Sequence, residues 1–92
     1  MFAVIYSTKM YRDMKRMDKR GKDMSKLLTT LDLLSTGNPL PARYRDHALT
    51  GNWAGCRECH IEPNWLLIYK VFNDALIILA TDTGTHSDLF GR

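Results

Sequence analysis

The sequence predicts an α+β fold, with two helices packed on one face of a small antiparallel sheet in the order β-α-α-β-β-β. Three observations carry that expectation. A strand-forming run opens the chain, two stretches with apolar residues at helical spacing follow, and apolar or alternating runs separated by turn residues come last. At 92 residues the chain is read as one domain spanning 1–92. Its 45% hydrophobic and 25% charged residues fit a globular protein and exclude disordered, collagen-like and low-complexity classes.

Phe2–Tyr6 is the first strand, and Ser7 or Thr8 caps the helix after it. Met10, Met14 and Met17 recur at i, i+4 and i+7, so this helix is amphipathic, and Gly21 ends it. In the second helix Met24, Leu27, Leu28, Leu31 and Leu34 form one stripe, which Gly37, Pro39 and Pro41 terminate. From Gly37 to Trp53 no period is visible, and irregular segments of this length in compact domains are usually functional. Cys56–Glu62 alternates as a strand does, Pro63-Asn64 is a tight turn, and Trp65–Phe72 is apolar enough for a central strand buried on both faces. Asn73-Asp74 is a hairpin turn, Ala75–Ala80 the next strand, and the tail Gly84–Phe90 a short edge strand.

Charge is unevenly spread. Lys9 to Lys26 holds eight cations against three acids, while the chain as a whole is +3. Such a basic helical hairpin attracts phosphate backbones or an acidic protein, or is simply a solvated face with i,i+4 pairs. The apolar runs Trp65–Tyr69 and Ala75–Ala80 are far shorter than the ~18 residues of a membrane span. The opening residues Met1–Tyr6 lack the features of an export signal, so a cytoplasmic location is expected, with Cys56 and Cys59 as reduced thiols.

Three histidines, His47, His60 and His86, are the candidates for proton transfer near neutral pH. Strand parity puts Glu58, His60 and Glu62 on one face and Arg57, Cys59 and Ile61 on the other, the core side. Arg57 then either sits by a bulge or reaches past the strand edge to the active surface. Cys56-Arg-Glu-Cys59-His60 matches the C-x-x-C-H pattern of haem c attachment. Its strand-like setting and the missing export signal argue against haem. Cysteines three apart on a strand point to opposite faces, which argues against zinc, so no cofactor or metal is expected.

Three separated blocks carry a family resemblance: Tyr44-Arg-Asp-His-Ala-Leu-Thr-Gly-Asn-Trp53, Cys56-Arg-Glu-Cys-His-Ile-Glu-Pro-Asn-Trp-Leu-Leu-Ile-Tyr69, and Thr83-Gly-Thr-His-Ser-Asp-Leu-Phe90. With Lys22–Leu27 and Leu40–Tyr44, they resemble the YafQ branch of the RelE/ParE toxins over nearly the whole chain. The resemblance implies a RelE-like fold and a type II toxin that cleaves messenger RNA on the ribosome. It also implies a cognate antitoxin encoded by the neighbouring gene, with operator DNA contacted only through that antitoxin and no membrane partner.

By position in the family motifs, His47, His60 and His86 are catalytic, Glu58 stands at a usually acidic position, and Phe90 is the aromatic that positions the RNA base. Two departures stand out: Asn64 where the family motif has aspartate, and Asp82 where related toxins often carry a cation. They predict lowered activity. The alternative reading is a weakened or non-enzymatic member that binds antitoxin and nucleic acid or inhibits gyrase.

RNA is cleaved when its own 2′-oxygen attacks the adjacent phosphorus, which requires a base, an acid and stabilisation of phosphoryl charge, but no metal. On this reading His86 is the acid and His47 or His60 the base. Asn64 is left as a hydrogen-bonding group, Arg57 or Arg45 stabilises the phosphorane, and Phe90 stacks on a base. Lys15, Arg16 and Lys19 are the expected ribosomal RNA contacts.

Overall fold

The computed structural model describes residues 1–91. Strand β1 (Ala3–Tyr6) leads into α1 (Thr8–Lys19) and α2 (Met24–Ser35). A 3₁₀ turn at Ala42–Tyr44, strand β2 (His47–Ala48) and a second 3₁₀ turn at Gly51–Trp53 follow. Strands β3 (Arg57–Glu62), β4 (Trp65–Phe72) and β5 (Ile77–Gly84) then lead to a short C-terminal helix, α3 (His86–Phe90).

Local chemistry explains the helix boundaries. The Ser7 hydroxyl accepts the Met10 N–H at 2.9 Å and donates to the Thr81 carbonyl at 2.8 Å, so it caps α1 and ties its start to β5. Gly21, at φ +84°, takes the left-handed turn that separates α1 from α2. Asp23 caps α2 by accepting the Ser25 N–H at 3.0 Å.

The five strands run in the order β1-β5-β4-β3-β2. β2 to β5 are antiparallel neighbours, but β1 pairs parallel with β5, Ala3 opposite Ile77 through Tyr6 opposite Ala80. The antiparallel sheet expected from the sequence is therefore mixed at one edge. A parallel pair needs a long crossover, and the whole segment from α1 through β4 supplies it.

One face of the sheet carries both long helices. Met10 and Met17 of α1, Leu27, Leu31 and Leu34 of α2, and Cys59, Trp65, Leu67, Tyr69, Ile78 and Ala80 of the sheet form the core. Burying each such side chain contributes ~1.5–3 kcal/mol. Leu28, placed on the buried stripe by its spacing, is half exposed. Asp13, a charged residue on the same face of α1 as Met10 and Met17, is buried. It accepts the Thr83 backbone N–H at 3.1 Å and pairs with Lys9 at 2.8 Å and Arg16 at 3.2 Å. These partners satisfy a carboxylate that would otherwise be costly to bury.

Two further differences concern β5 and the tail. The turn after β4 occupies four residues, with Leu76 at φ +53°, so β5 starts at Ile77 and runs on to Gly84. Its second half is polar, and the Thr81 and Thr83 hydroxyls donate to Ile68 and Leu66 carbonyls of β4. The tail is not an edge strand but α3. Thr85 and Asp88 form a reciprocal capping box, and the side chain of Asp88 takes two hydrogen bonds, at 2.6 and 3.0 Å, from the Arg20 guanidinium of α1. That guanidinium, with the Thr85 N–H, holds the Asp88 carboxyl well below the usual range. Gly84 allows this close packing, since a Cβ there would lie 2.9 Å from Asp88 Cβ.

Candidate active site

The face opposite the long helices brings residues from four elements together. β2 pairs His47 with Glu58, and β3 pairs Glu58 with Ile68 and His60 with Leu66. Cross-strand partners share a face, so His47, Glu58 and His60 stand over a floor of fully buried Leu66 and Ile68. His86 arrives from α3. The ring centroids of His47 and His60 are 6.4 Å apart and those of His60 and His86 5.9 Å, so His60 is the middle of three converging imidazoles.

Each outer histidine has its Nδ1 held. His47 Nδ1 lies 2.8 Å from the Arg45 carbonyl, which can only accept, so Nδ1 carries the proton and Nε2 is left for transfer. His86 Nδ1 lies 2.6 Å from Asn64 Oδ1, and the same oxygen accepts the His86 backbone N–H at 3.0 Å. Asn64 thus fixes the tautomer of His86 and leaves its Nε2 for chemistry.

Glu58 is buried, and one oxygen, Oε1, lies 3.5 Å from His47 Nε2 and 3.3 Å from His60 Nε2. Glu58 thus stands between two of the three rings and fixes their spacing. His60 Nδ1 is buried with no partner.

Phe90 packs edge-to-face on Trp53, with ring centroids 5.6 Å apart. Trp53 was not among the expected site residues. Its signal was a large aromatic inside the periodless loop.

Several expected residues lie elsewhere. Glu62 was placed with Glu58 and His60, but a register shift between His60 and Glu62 turns it to the helix side opposite Trp65. There Lys22 and Lys26 each approach it at 2.9 Å, and their hydrogen bonds depress its carboxyl pKa. His60 therefore has one flanking carboxylate, not two.

Arg57 does not reach the histidines. It shares the core-side face with Tyr69, and its Nε donates to Asp46 at 3.2 Å. Arg16 is tied to Asp13 and the Thr83 carbonyl, so it is committed to packing α1 on β5. Lys15 and Lys19 are exposed on the helical hairpin, away from the histidine face. Arg45 is exposed beside His60.

Cys59 is fully buried, and burial pushes its thiol far up, so it is not a nucleophile. Among the described residues no group of three or more His, Cys, Asp or Glu side chains is placed to hold a metal ion.

Comparison with known proteins identifies the family of the chain. Residues 2–91 match the model of a family described as the bacterial toxin of type II toxin-antitoxin system, YafQ. The chain is 48% identical over 87 residues to the mRNA interferase toxin YafQ of Escherichia coli (strain K12), covering 94% of this chain and 92% of that protein. The crystal structure of YafQ from E. coli strain BL21(DE3) superposes with a TM-score of 0.91 at 41% identity, over 99% of this chain and all of that one. The toxin in the E. coli DinJ-YafQ complex superposes at 0.88 with 41% identity, again covering 99% of this chain and 100% of that one. With a family match across almost all its residues, the chain belongs to the YafQ family of bacterial toxins of type II toxin-antitoxin systems.

Proposed function

We propose that this protein is an mRNA interferase: a toxin that cuts messenger RNA on the ribosome through attack of the 2′-hydroxyl, and that a cognate antitoxin restrains. The observation that carries the reading is the meeting of His47, His60 and His86 on one sheet face, within 6.4 Å between neighbouring rings. The internal nucleophile of RNA needs a base on one side and an acid on the other. His47 and His86 flank His60, and each presents an Nε2 whose ring is oriented through Nδ1.

In this mechanism His47 Nε2 takes the 2′ proton, and the 2′-oxygen bonds to phosphorus. The P–O5′ bond breaks as His86, protonated, gives its Nε2 proton to the leaving 5′-oxygen. The products are a 2′,3′-cyclic phosphate and a 5′-hydroxyl. His60, held by Glu58 between the two outer rings, is a positioning residue that sets the base and the acid on either side of the scissile linkage. Phe90, braced by Trp53, stacks on a base, a contact worth ~1–3 kcal/mol. With Arg57 on the other face, Arg45 is an exposed cation beside His60.

The antitoxin assignment follows the DinJ-YafQ complex among the structural relatives. Its expected chemistry is an acidic segment that folds on this basic protein, and operator DNA is contacted through it. Exposed Lys15 and Lys19 serve ribosomal RNA. No helix of the described chain is long and apolar enough to cross a membrane.

A cell-free translation reaction tests the activity. The wild type cuts the messenger and His86→Ala leaves it whole. Intact messenger in both reactions overturns the ribonuclease reading.

A further inference from the structure

A second feature adjoins the histidines. β2 pairs only with Arg57 and Glu58, so on the edge away from β4 β3 has no strand partner beyond Glu58. The preceding segment, around the 3₁₀ turn Ala42–Tyr44, runs beside that open edge without joining the sheet. Between them lies a cleft of about 280 Å³ lined by Arg43, Tyr44, Arg45, His60, Ile61, Glu62 and Pro63. Its volume is near the lower end of the ~300–1,000 Å³ range of small-molecule sites.

The chemistry of this cleft is that of a site for an anion with a flat group. Arg43 and Arg45 are exposed, and among the described residues neither is paired with a carboxylate. The nearest carboxylate on the rim, Glu62, is already neutralised by Lys22 and Lys26. The Arg43 guanidinium lies 4.8 Å from the centroid of the buried Tyr44 ring and donates from Nη2 to the Tyr44 hydroxyl at 3.2 Å, which holds the group in place with its other donors free. Arg45 is held at φ +51°, a left-handed conformation that is costly outside glycine. The turn that imposes this conformation also presents the carbonyl that orients His47. His60 belongs to both the cleft and the histidine cluster, and its buried Nδ1 lacks a partner.

We propose that this cleft is a subsite for the messenger nucleotide adjoining the scissile linkage, with Arg43 and Arg45 on its phosphate and His60 marking the boundary with the reacting centre. The proposal rests on the ribonuclease reading above and assigns a role to two arginines outside the acid–base group. RNA that reaches the three histidines has to continue past them, and this is a cationic cleft that shares a wall with His60. Guanidinium groups suit phosphate because they donate in a planar fork.

The test uses the whole protein and a single-stranded RNA oligonucleotide carrying 2′-O-methyl groups throughout, which binds but cannot be cut. Affinity is measured across salt concentrations for the wild type, Arg43→Gln, Arg45→Gln and the double variant. Each lost phosphate contact is expected to flatten the slope of log affinity against log salt by about 0.7. The double variant is further expected to need roughly tenfold more toxin for half-maximal messenger cleavage, with an unchanged melting temperature. A wild-type slope in both single variants overturns the subsite. So does a loss confined to antitoxin binding, which makes the cleft a protein contact. If the wild type cleaves messenger and the variants cleave as well as it does, only the subsite falls. If the wild type cleaves none, the ribonuclease reading falls and takes the subsite with it.

Discussion

Tyr69→Phe removes one oxygen and tests how the helix side of the sheet supports the histidine side. Tyr69 is 1% exposed, and its hydroxyl donates to Asp46 Oδ1 at 2.7 Å. Hydrogen bonds to an ionised group are worth ~1.5–3 kcal/mol. Asp46 keeps a second donor, Arg57 Nε at 3.2 Å, and is partly open to water, so the lower end applies, about 1.5 kcal/mol. At ~4–8 °C per kcal/mol for a domain of this size, the melting temperature should fall by about 6–12 °C. Asp46 also lies between Arg45, in its strained conformation, and His47. Loosening that anchor should therefore lower kcat for messenger cleavage with little change in KM. The pH dependence carries a sign. Burial first, and Asp46 second, raise the Tyr69 hydroxyl above its ordinary value. A raised value in the folded state gives stability that is fully present below the unfolded pKa of ~10 and is lost as pH rises beyond it. The wild type should lose stability more steeply than Tyr69→Phe above that point. A melting temperature within about 2 °C of wild type refutes the hydrogen-bond argument. Lost stability with unchanged kcat refutes the link to His47.

Two other predictions follow from the same geometry. Asn64→Asp keeps the acceptor that holds His86 and adds a negative charge 2.6 Å from its Nδ1, which favours the imidazolium. The alkaline limb of the pH–rate profile should move up, and growth arrest on induction should strengthen. An unmoved limb refutes the role of His86 as acid. Charge reversal at Lys15 and Lys19 should weaken ribosome association, most at low salt, while an uncleavable short RNA binds as before. Equal loss of both refutes the separation between hairpin and site. Arg16 is left out of that variant because it holds Asp13.

How much the sequence revealed differs by element, for physical reasons. β4 was legible to the residue because a nearly continuous apolar run, interrupted only by Lys70, reads as a strand buried on both faces, as its first five residues are. The methionine stripe of α1 was equally plain. Apolarity failed where polar residues are structural: Thr81, Asp82 and Thr83 continue β5, and Asp13 is buried because its partners come from outside its own helix turn or from β5. α3 is too short to display a period, and its sign was the spacing of Thr85 and Asp88, a capping pattern. Glu62 was misplaced because parity counting cannot see a bulge. The site shows the same limit. Nothing in the spacing of His47, His60 and His86 says that a loop, a strand and a helix meet. The family resemblance carried that expectation, and the sheet register is what places the first two side by side.

The two departures from the family pattern differ in kind. Asn64 replaces a charge but keeps a geometry: its oxygen takes both the backbone and the ring N–H of His86, so orientation survives without the electrostatic push. Asp82 brings an acid where the resemblance leads one to expect a cation. The cross-strand row runs His47, Glu58, Ile68, Asp82, so the residue stands in the strand row that carries the catalytic candidates. It does not stand there unopposed, because Lys9 of α1 reaches it at 2.9 Å and also holds Asp13. A cation from the helix layer thus offsets the acid in the sheet. The phosphate still gains no surplus positive charge on that flank. Positive charge for the phosphate then has to come from the other flank of His60, where Arg43 and Arg45 stand without carboxylate partners among the described residues.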